Sequence, residues 1–108
     1  MFERKAAIRS TQEDVAELAE ELDRFVIGLA ERIDAIQDAE LVASWSDVAL
    51  LARTLANDAN RLGYPGMSQS AKDVAMTAED GKAEPLQDAI VELTDLGQRI
   101  RRGHRGAA

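Results

Sequence analysis

Apolar residues recur at steps of three and four positions along most of this 108-residue chain, and this spacing constrains the fold more than any other feature. Residues at such steps share one side of an α-helix, because 3.6 residues complete each turn. The longest stripe predicts a helix over about 11–40, with Ser10 or Thr11 as its N-cap and breaks near Glu21 or Gly28 left open. Its apolar members are Val15, Leu18, Leu22, Phe25, Leu29, Ile33 and Ile36.

The same spacing predicts three further helices. The second begins after Ser44, which can cap it, and ends at Gly63, where a left-handed residue is expected. The third covers about 67–79, and the fourth begins near Glu84 or Pro85, since proline is accepted in a first helical turn. The inward positions are Trp45, Val48, Ala52, Leu55, Ala59 and Leu62; Met67, Ala71, Val74 and Ala78; and Leu86, Ile90, Leu93, Leu96 or Gly97, and Ile100.

Four amphipathic helices joined by short turns predict an all-α fold, an antiparallel up-down-up-down four-helix bundle with an N-terminal helical extension. The length predicts a single domain over 1–108, with its core at about 11–100 and a frayed basic tail at 101–108. The chain has no cysteine, which excludes disulfides and thiolate metal sites and favours a reducing, cytoplasmic location.

Charge is unevenly distributed. All 20 acidic residues precede position 99, whereas the last ten residues carry four arginines and no acid, within a net charge of −7. An acidic body is a poor nucleic-acid surface, because binding phosphates needs clustered cations. No apolar run approaches the ~20 residues that span a bilayer, and residues 1–10 do not form a signal peptide. We therefore predict no nucleic-acid or membrane partner; the basic tail complements the dipole of the last helix.

Local motifs narrow the possibilities within the all-α class. Residues 51–66 read LARTLANDANRLGYPG, a helix closed by an apolar-Gly-aromatic-Pro turn, and Trp45 precedes them. Residues 23–39 carry an aromatic residue, a small-residue step and an apolar-x-Glu-Arg run. With the helix at 68–79, these motifs resemble, in order and spacing, histidine-containing phosphotransfer (Hpt) domains over about 25–100. The resemblance implies the same bundle and a place in bacterial two-component phosphorelay signalling.

The chain departs from the Hpt pattern where the family carries its chemistry. Arg53 stands where the resemblance requires the phosphoryl-accepting histidine, and guanidinium offers no lone pair to attack phosphorus. Ala56 replaces a lysine that would assist the phosphoryl group. Asn57 replaces the glycine that leaves room for a response regulator. We place these three residues on one exposed face of the second helix, as a degenerate phosphotransfer site, and predict no catalytic residue and no enzyme activity.

His104 is the only histidine and does not rescue the transfer. It lies beyond the last apolar position, whereas phosphotransfer needs an acceptor nitrogen held in line on a rigid element. We therefore expect a solvated tail residue. One histidine and scattered carboxylates lack the spacing of a metal cage, so no metal site and no cofactor are predicted.

The preferred function is a non-catalytic, pseudo-Hpt module that binds a response-regulator receiver domain or a histidine kinase without accepting phosphate. Arg53 would pair with the acidic pocket that the family implies on the receiver; the alternative is a surface arginine near Asp47, Asn57 or Asp58. A second possibility is a homodimer through the heptad-like stripe at 15–36, with a structural or adaptor role outside phosphorelay. The predicted partner-binding residues are Ala49, Arg53, Ala56, Asn57 and Asn60, with Gly28 and Arg32 from the neighbouring helix.

Overall fold

The computed structural model describes residues 5–104, and within that range the chain is helical and contains no strand. The helices are α1 (Ala19–Leu41), α2 (Trp45–Arg61), α3 (Pro65–Glu79) and α4 (Ala83–Gly103), and a short 3-10 helix (Ala16–Leu18) precedes α1. Helix α2 packs on α3, α3 packs on α4, and α1 packs on both α2 and α4. The predicted all-α class with four helices is confirmed.

Apolar side chains from all four helices form one core. The inward stripes predicted for α2, α3 and α4 are buried, except that Trp45 and Leu96 are only partly covered. Alanines on the facing sides of α2 and α3, such as Ala52 and Ala71, are fully buried and let these two helices approach closely. Each large apolar side chain removed from water contributes about 1.5–3 kcal/mol, so the stripes supply the main driving force for folding.

The N-terminal residues do not form the predicted helical extension. Residues 5–15, which we call the strap, contain no helix, and α1 begins at Ala19 rather than near residue 11. The 3-10 helix Ala16–Leu18 joins the two segments. Burial of the first stripe accordingly starts at Leu22 and not at Val15.

Ser10 and Thr11, the predicted N-cap residues, do not start a helix, because hydrogen bonds tie them to the turn between α2 and α3. The Ser10 hydroxyl donates to the Leu62 carbonyl oxygen at 2.5 Å and accepts from the backbone N–H of Gln12 at 2.9 Å. The Thr11 N–H donates to the Gly63 carbonyl oxygen at 2.8 Å. The Ser10 oxygen thus still accepts a cap-like bond from Gln12, while its hydroxyl proton and the Thr11 N–H bind the turn between α2 and α3.

The C-terminal end of α4 holds the other part of the strap. The Ile8 N–H donates to the Arg99 carbonyl oxygen at 3.0 Å, and the side chains of Arg99 and Arg102 donate to strap carbonyls. A Cβ atom on Gly103 would overlap the carbonyl oxygen of Ile8. The predicted frayed tail is therefore wrong as far as residue 104; residues 105–108 lie outside the described part of the chain.

Each of the three turns between helices contains one residue with positive φ. These are Ala43 at 55°, Gly63 at 85° and Gly81 at 69°. Gly63 was the predicted left-handed end of α2, and this prediction is confirmed. Glycine pays no Cβ penalty in this region of φ, whereas Ala43 does.

Candidate functional site

Arg53 lies at the middle of α2, and half of its side chain is exposed. Its guanidinium donates a hydrogen bond to the carboxylate of Glu79, the last residue of α3. The ion pair spans the two helices across their outer edges. None of the polar neighbours expected on α2 itself is its partner; Asp58, for example, pairs with Arg32 at 3.0 Å.

The other two positions of the degenerate site are separated by the fold. Asn57 is exposed, but Ala56 is only 1% exposed, so its predicted place beside Arg53 on the outer face is wrong. Ala56 follows Ala52 by four residues and precedes Ala59 by three, and such positions share one side of a helix. That side packs into the core, and therefore a partner cannot reach Ala56.

The exposed side of α2 lies between two surface grooves. We use the name α2 face for its residues Leu50, Arg53, Thr54, Asn57 and Asn60. Between α2 and α3 lies a groove of about 550 Å³, in which Arg53 and Glu79 stand above Ala49 and the partly buried Trp45. Ala49 is itself buried and forms part of the floor of this groove.

The second groove, between α1 and α2, has a volume of about 640 Å³. Its α1 wall includes Gly28 and Arg32, two residues predicted to contact a partner, and Ala35 lies beside them. The α2 wall includes Leu51 and Thr54. The fold therefore brings Gly28 and Arg32 next to the α2 face.

Leu50 lines both grooves and is 66% exposed, yet sequence reasoning did not single it out. The available signal was its position: Leu50 is apolar but lies outside the stripe that α2 buries. An isolated exposed leucine is ordinary on a protein surface. One that lies between two grooves, with an arginine three residues later, is a candidate contact.

Ion pairs anchor α1 to α2 beside the second groove. The Arg32 guanidinium pairs with Asp58 and lies 5.8 Å from the centroid of the Phe25 ring. Arg61 pairs with Glu21 at 2.5 Å, and this hydrogen bond raises the pKa of the Arg61 guanidinium. Both pairs link α1 to α2, and of the two arginines Arg32 lines the groove.

His104 is not the solvated tail residue that we expected. Its side chain is only 11% exposed, and Nε2 lies 2.7 Å from a carboxylate oxygen of Asp23 on α1. The contact ties the end of α4 to the start of α1. The Nε2 atom of His104 is therefore occupied by Asp23, and the ring is largely enclosed rather than held out toward a phosphoryl donor.

Tyr64, the aromatic residue of the turn after α2, belongs to the core. Its ring stacks on Phe25 at a centroid distance of 5.7 Å, and its hydroxyl is buried without a hydrogen-bond partner among residues 5–104. Burial raises the pKa of this hydroxyl, and the nearby carboxylate of Glu13 adds to the shift. The residue therefore serves packing rather than the exposed site.

The described part of the chain contains no cluster of three acidic, His or Cys side chains that could hold a metal ion. No helix in residues 5–104 is long and apolar enough to cross a membrane. Comparisons with protein-family models, with curated proteins and with solved structures each find no match to this chain. Any functional assignment therefore depends on the motifs and on the geometry of the α2 face.

Proposed function

We propose that this chain is a non-catalytic, Hpt-like interaction module of a bacterial two-component system. It binds a response-regulator receiver domain or a histidine kinase through the α2 face and accepts no phosphate. The observation that carries the proposal is the half-exposed Arg53 at mid-α2, beside the exposed Leu50. Arg53 occupies the position at which the resemblance requires the phosphoryl-accepting histidine.

The proposal includes an antiparallel up-down-up-down arrangement of the four helices. Three-residue turns join them, and such short connections favour antiparallel neighbours. The contact between His104 and Asp23 brings the end of α4 to the beginning of α1, as this topology requires. The arrangement leaves α2 with an outward side that a partner can approach.

The composition of the α2 face suits protein binding. Interfaces concentrate binding energy in a few central residues that are surrounded by polar groups. Here Leu50 supplies an apolar centre, and Arg53 lies beside it as a guanidinium that can pair with a partner's carboxylate. The Arg32 guanidinium, which is already paired with Asp58, adds to the polar surroundings. The same guanidiniums cannot accept a phosphoryl group, so binding is separated from transfer.

The burial of the first stripe argues against the alternative, a homodimer that associates through that stripe. From Leu22 to Ile36 the stripe is buried against the chain's own helices. A coiled-coil seam would need those side chains on the outside. Association through another surface would be a separate proposal.

Binding is tested with the purified chain and a panel of purified receiver domains and histidine kinases, by isothermal titration calorimetry. We expect Leu50→Asp to weaken binding at least about tenfold, because it places a charge at the centre of the interface. Val91→Asp is the matched control: Val91 is equally exposed, at 68%, but lies on α4. Equal effects of the two substitutions would exclude the α2 face.

Phosphotransfer is tested separately, with labelled ATP and an active kinase or a phosphorylated receiver domain. We expect no acid-labile label on this chain. A stoichiometric label would contradict the non-catalytic assignment, and a chain that binds no receiver domain or kinase at all would contradict the proposed function.

A further inference from the structure

Glu79 stands where a carboxylate is unfavourable within its own helix. It is the last residue of α3, Asp80 follows it, and the last turn of α3 contains no basic residue. The C-terminal end of a helix carries partial negative charge, which repels carboxylates and attracts cations. Arg53 on α2 supplies the cation that α3 lacks, and this accounts for the ion pair between them.

The exposure of the Arg53–Glu79 ion pair allows Arg53 to exchange one carboxylate partner for another. Both side chains are 49% exposed and both line the groove between α2 and α3. Exposed ion pairs contribute little to stability, because water competes for both charges. The Arg53 guanidinium can therefore exchange the Glu79 carboxylate for another one without disturbing the core beneath it.

We propose that Glu79 is an intramolecular competitor for Arg53 that sets the affinity of the α2 face. This inference rests on the proposed function. A docking partner must replace the Glu79 carboxylate with one of its own opposite Arg53. A partner that presents only neutral or basic groups there gains nothing from Arg53, so the pair selects for acidic partners.

Asp80 provides a matched control within the same groove. It lines the groove beside Glu79 but makes no ion pair among the residues that the structure describes. Asp80→Asn and Glu79→Gln each remove one negative charge from the groove, and hence they change the long-range repulsion of an acidic partner similarly. Only Glu79→Gln also frees Arg53.

The experiment measures the dissociation constant between one purified receiver domain and the wild-type chain, and compares it with the value for each of four variants. These are Glu79→Gln, Asp80→Asn, Arg53→Gln, and Arg53→Gln combined with Glu79→Gln. We expect Glu79→Gln to tighten binding about two- to fivefold more than Asp80→Asn does. In the Arg53→Gln background the extra gain should vanish. The resonances of the Arg53 Nη–H groups, one of which donates to Glu79, followed by NMR in the free chain, should lose their protection from exchange in Glu79→Gln.

The outcomes separate the inference from the function on which it rests. Equal tightening by Glu79→Gln and Asp80→Asn, or weaker binding by Glu79→Gln, would overturn the inference. So would a gain from Glu79→Gln in the Arg53→Gln background that still exceeds the gain from Asp80→Asn. If binding still responds to Leu50→Asp in those cases, the proposed function stands. If the wild-type chain and all variants fail to bind any receiver domain or kinase, both are overturned.

Discussion

Two regions of the molecule differ in how tightly they are packed. One is the α2 face, and the other is the end of the bundle where the strap contacts the α2–α3 turn and the end of α4, which we call the strapped end. At the strapped end, Gly63 and Gly103 leave no room for a side chain, and Ser10 is buried in a double hydrogen bond. On the α2 face, Leu50 stands in solvent and Arg53 takes part in an exposed ion pair. The difference indicates that substitutions at the strapped end lower stability, whereas substitutions on the α2 face change stability little.

Gly63→Ala should produce the largest effect, because it tests whether the strapped end is as tightly packed as its geometry indicates. The new Cβ would lie 2.5 Å from the Ser10 hydroxyl and 2.8 Å from the backbone nitrogen of Gln12, at a φ of 85°. We expect a loss of about 2–4 kcal/mol in the free energy of unfolding, from steric strain and from overpacking. Urea denaturation followed by circular dichroism measures it.

The control for that substitution is Gly28→Ala, on α1 beside the α2 face. Apart from its chain neighbours and the adjacent backbone of α1, no heavy atom lies within 4 Å of its added Cβ. Alanine is a better helix former, so we expect stabilisation by about 0.5–1 kcal/mol. A loss of stability in both variants would mean that the two regions do not differ in packing.

Ser10→Ala should cost about 1–3 kcal/mol in the free energy of unfolding. It removes the hydroxyl that bonds to both Leu62 and Gln12 and leaves buried backbone groups unsatisfied. Ser46→Ala, at an exposed position in the first turn of α2, should change stability by less than about 0.5 kcal/mol. Similar values for the two serines would show that the strap contributes little to the fold.

Tyr64→Phe should leave stability unchanged at neutral pH or raise it by up to about 1 kcal/mol, because the lost hydroxyl has no described hydrogen-bond partner. The pKa of Tyr64 is raised above its ordinary value of 10.0. Above pH 10 the unfolded chain therefore releases a proton that the folded chain keeps, and stability falls as pH rises toward the folded pKa.

Tyr64 is the only tyrosine, so its ionisation can be followed directly by ultraviolet absorbance. Denaturation between pH 8 and pH 11 should show a steeper loss of stability in the wild-type chain than in Tyr64→Phe. Parallel pH profiles would place the hydroxyl in contact with water, contrary to its burial.

Arg53→Ala should have the smallest effect on stability, less than about 1 kcal/mol, because the pair with Glu79 is exposed and screened by salt. A double-mutant cycle with Glu79→Ala measures the coupling energy of the pair. A coupling well above that value would make Arg53 a structural residue and would remove the contrast between the two regions.

Local chemistry accounts for the features that the sequence predicted correctly. The spacing of apolar residues in α2, α3 and α4 determined which sides are buried, because helical periodicity alone assigns them. Gly63 marked the end of α2, since glycine adopts positive φ without a Cβ penalty. The exposure of Arg53 followed from its position outside the α2 stripe. The absence of a nucleophile at that position is a property of guanidinium and needs no structure.

Tertiary contacts decided the rest. Residues 5–15 could have extended α1, but their polar groups found partners on the α2–α3 turn and on α4, and a sequence pattern does not contain those distant partners. Packing of the helices buried Ala56, a residue small enough for either environment. His104, which we predicted to lie in a solvated tail, contacts Asp23, and Arg53 pairs with Glu79. The fold places both pairs of side chains within hydrogen-bond reach.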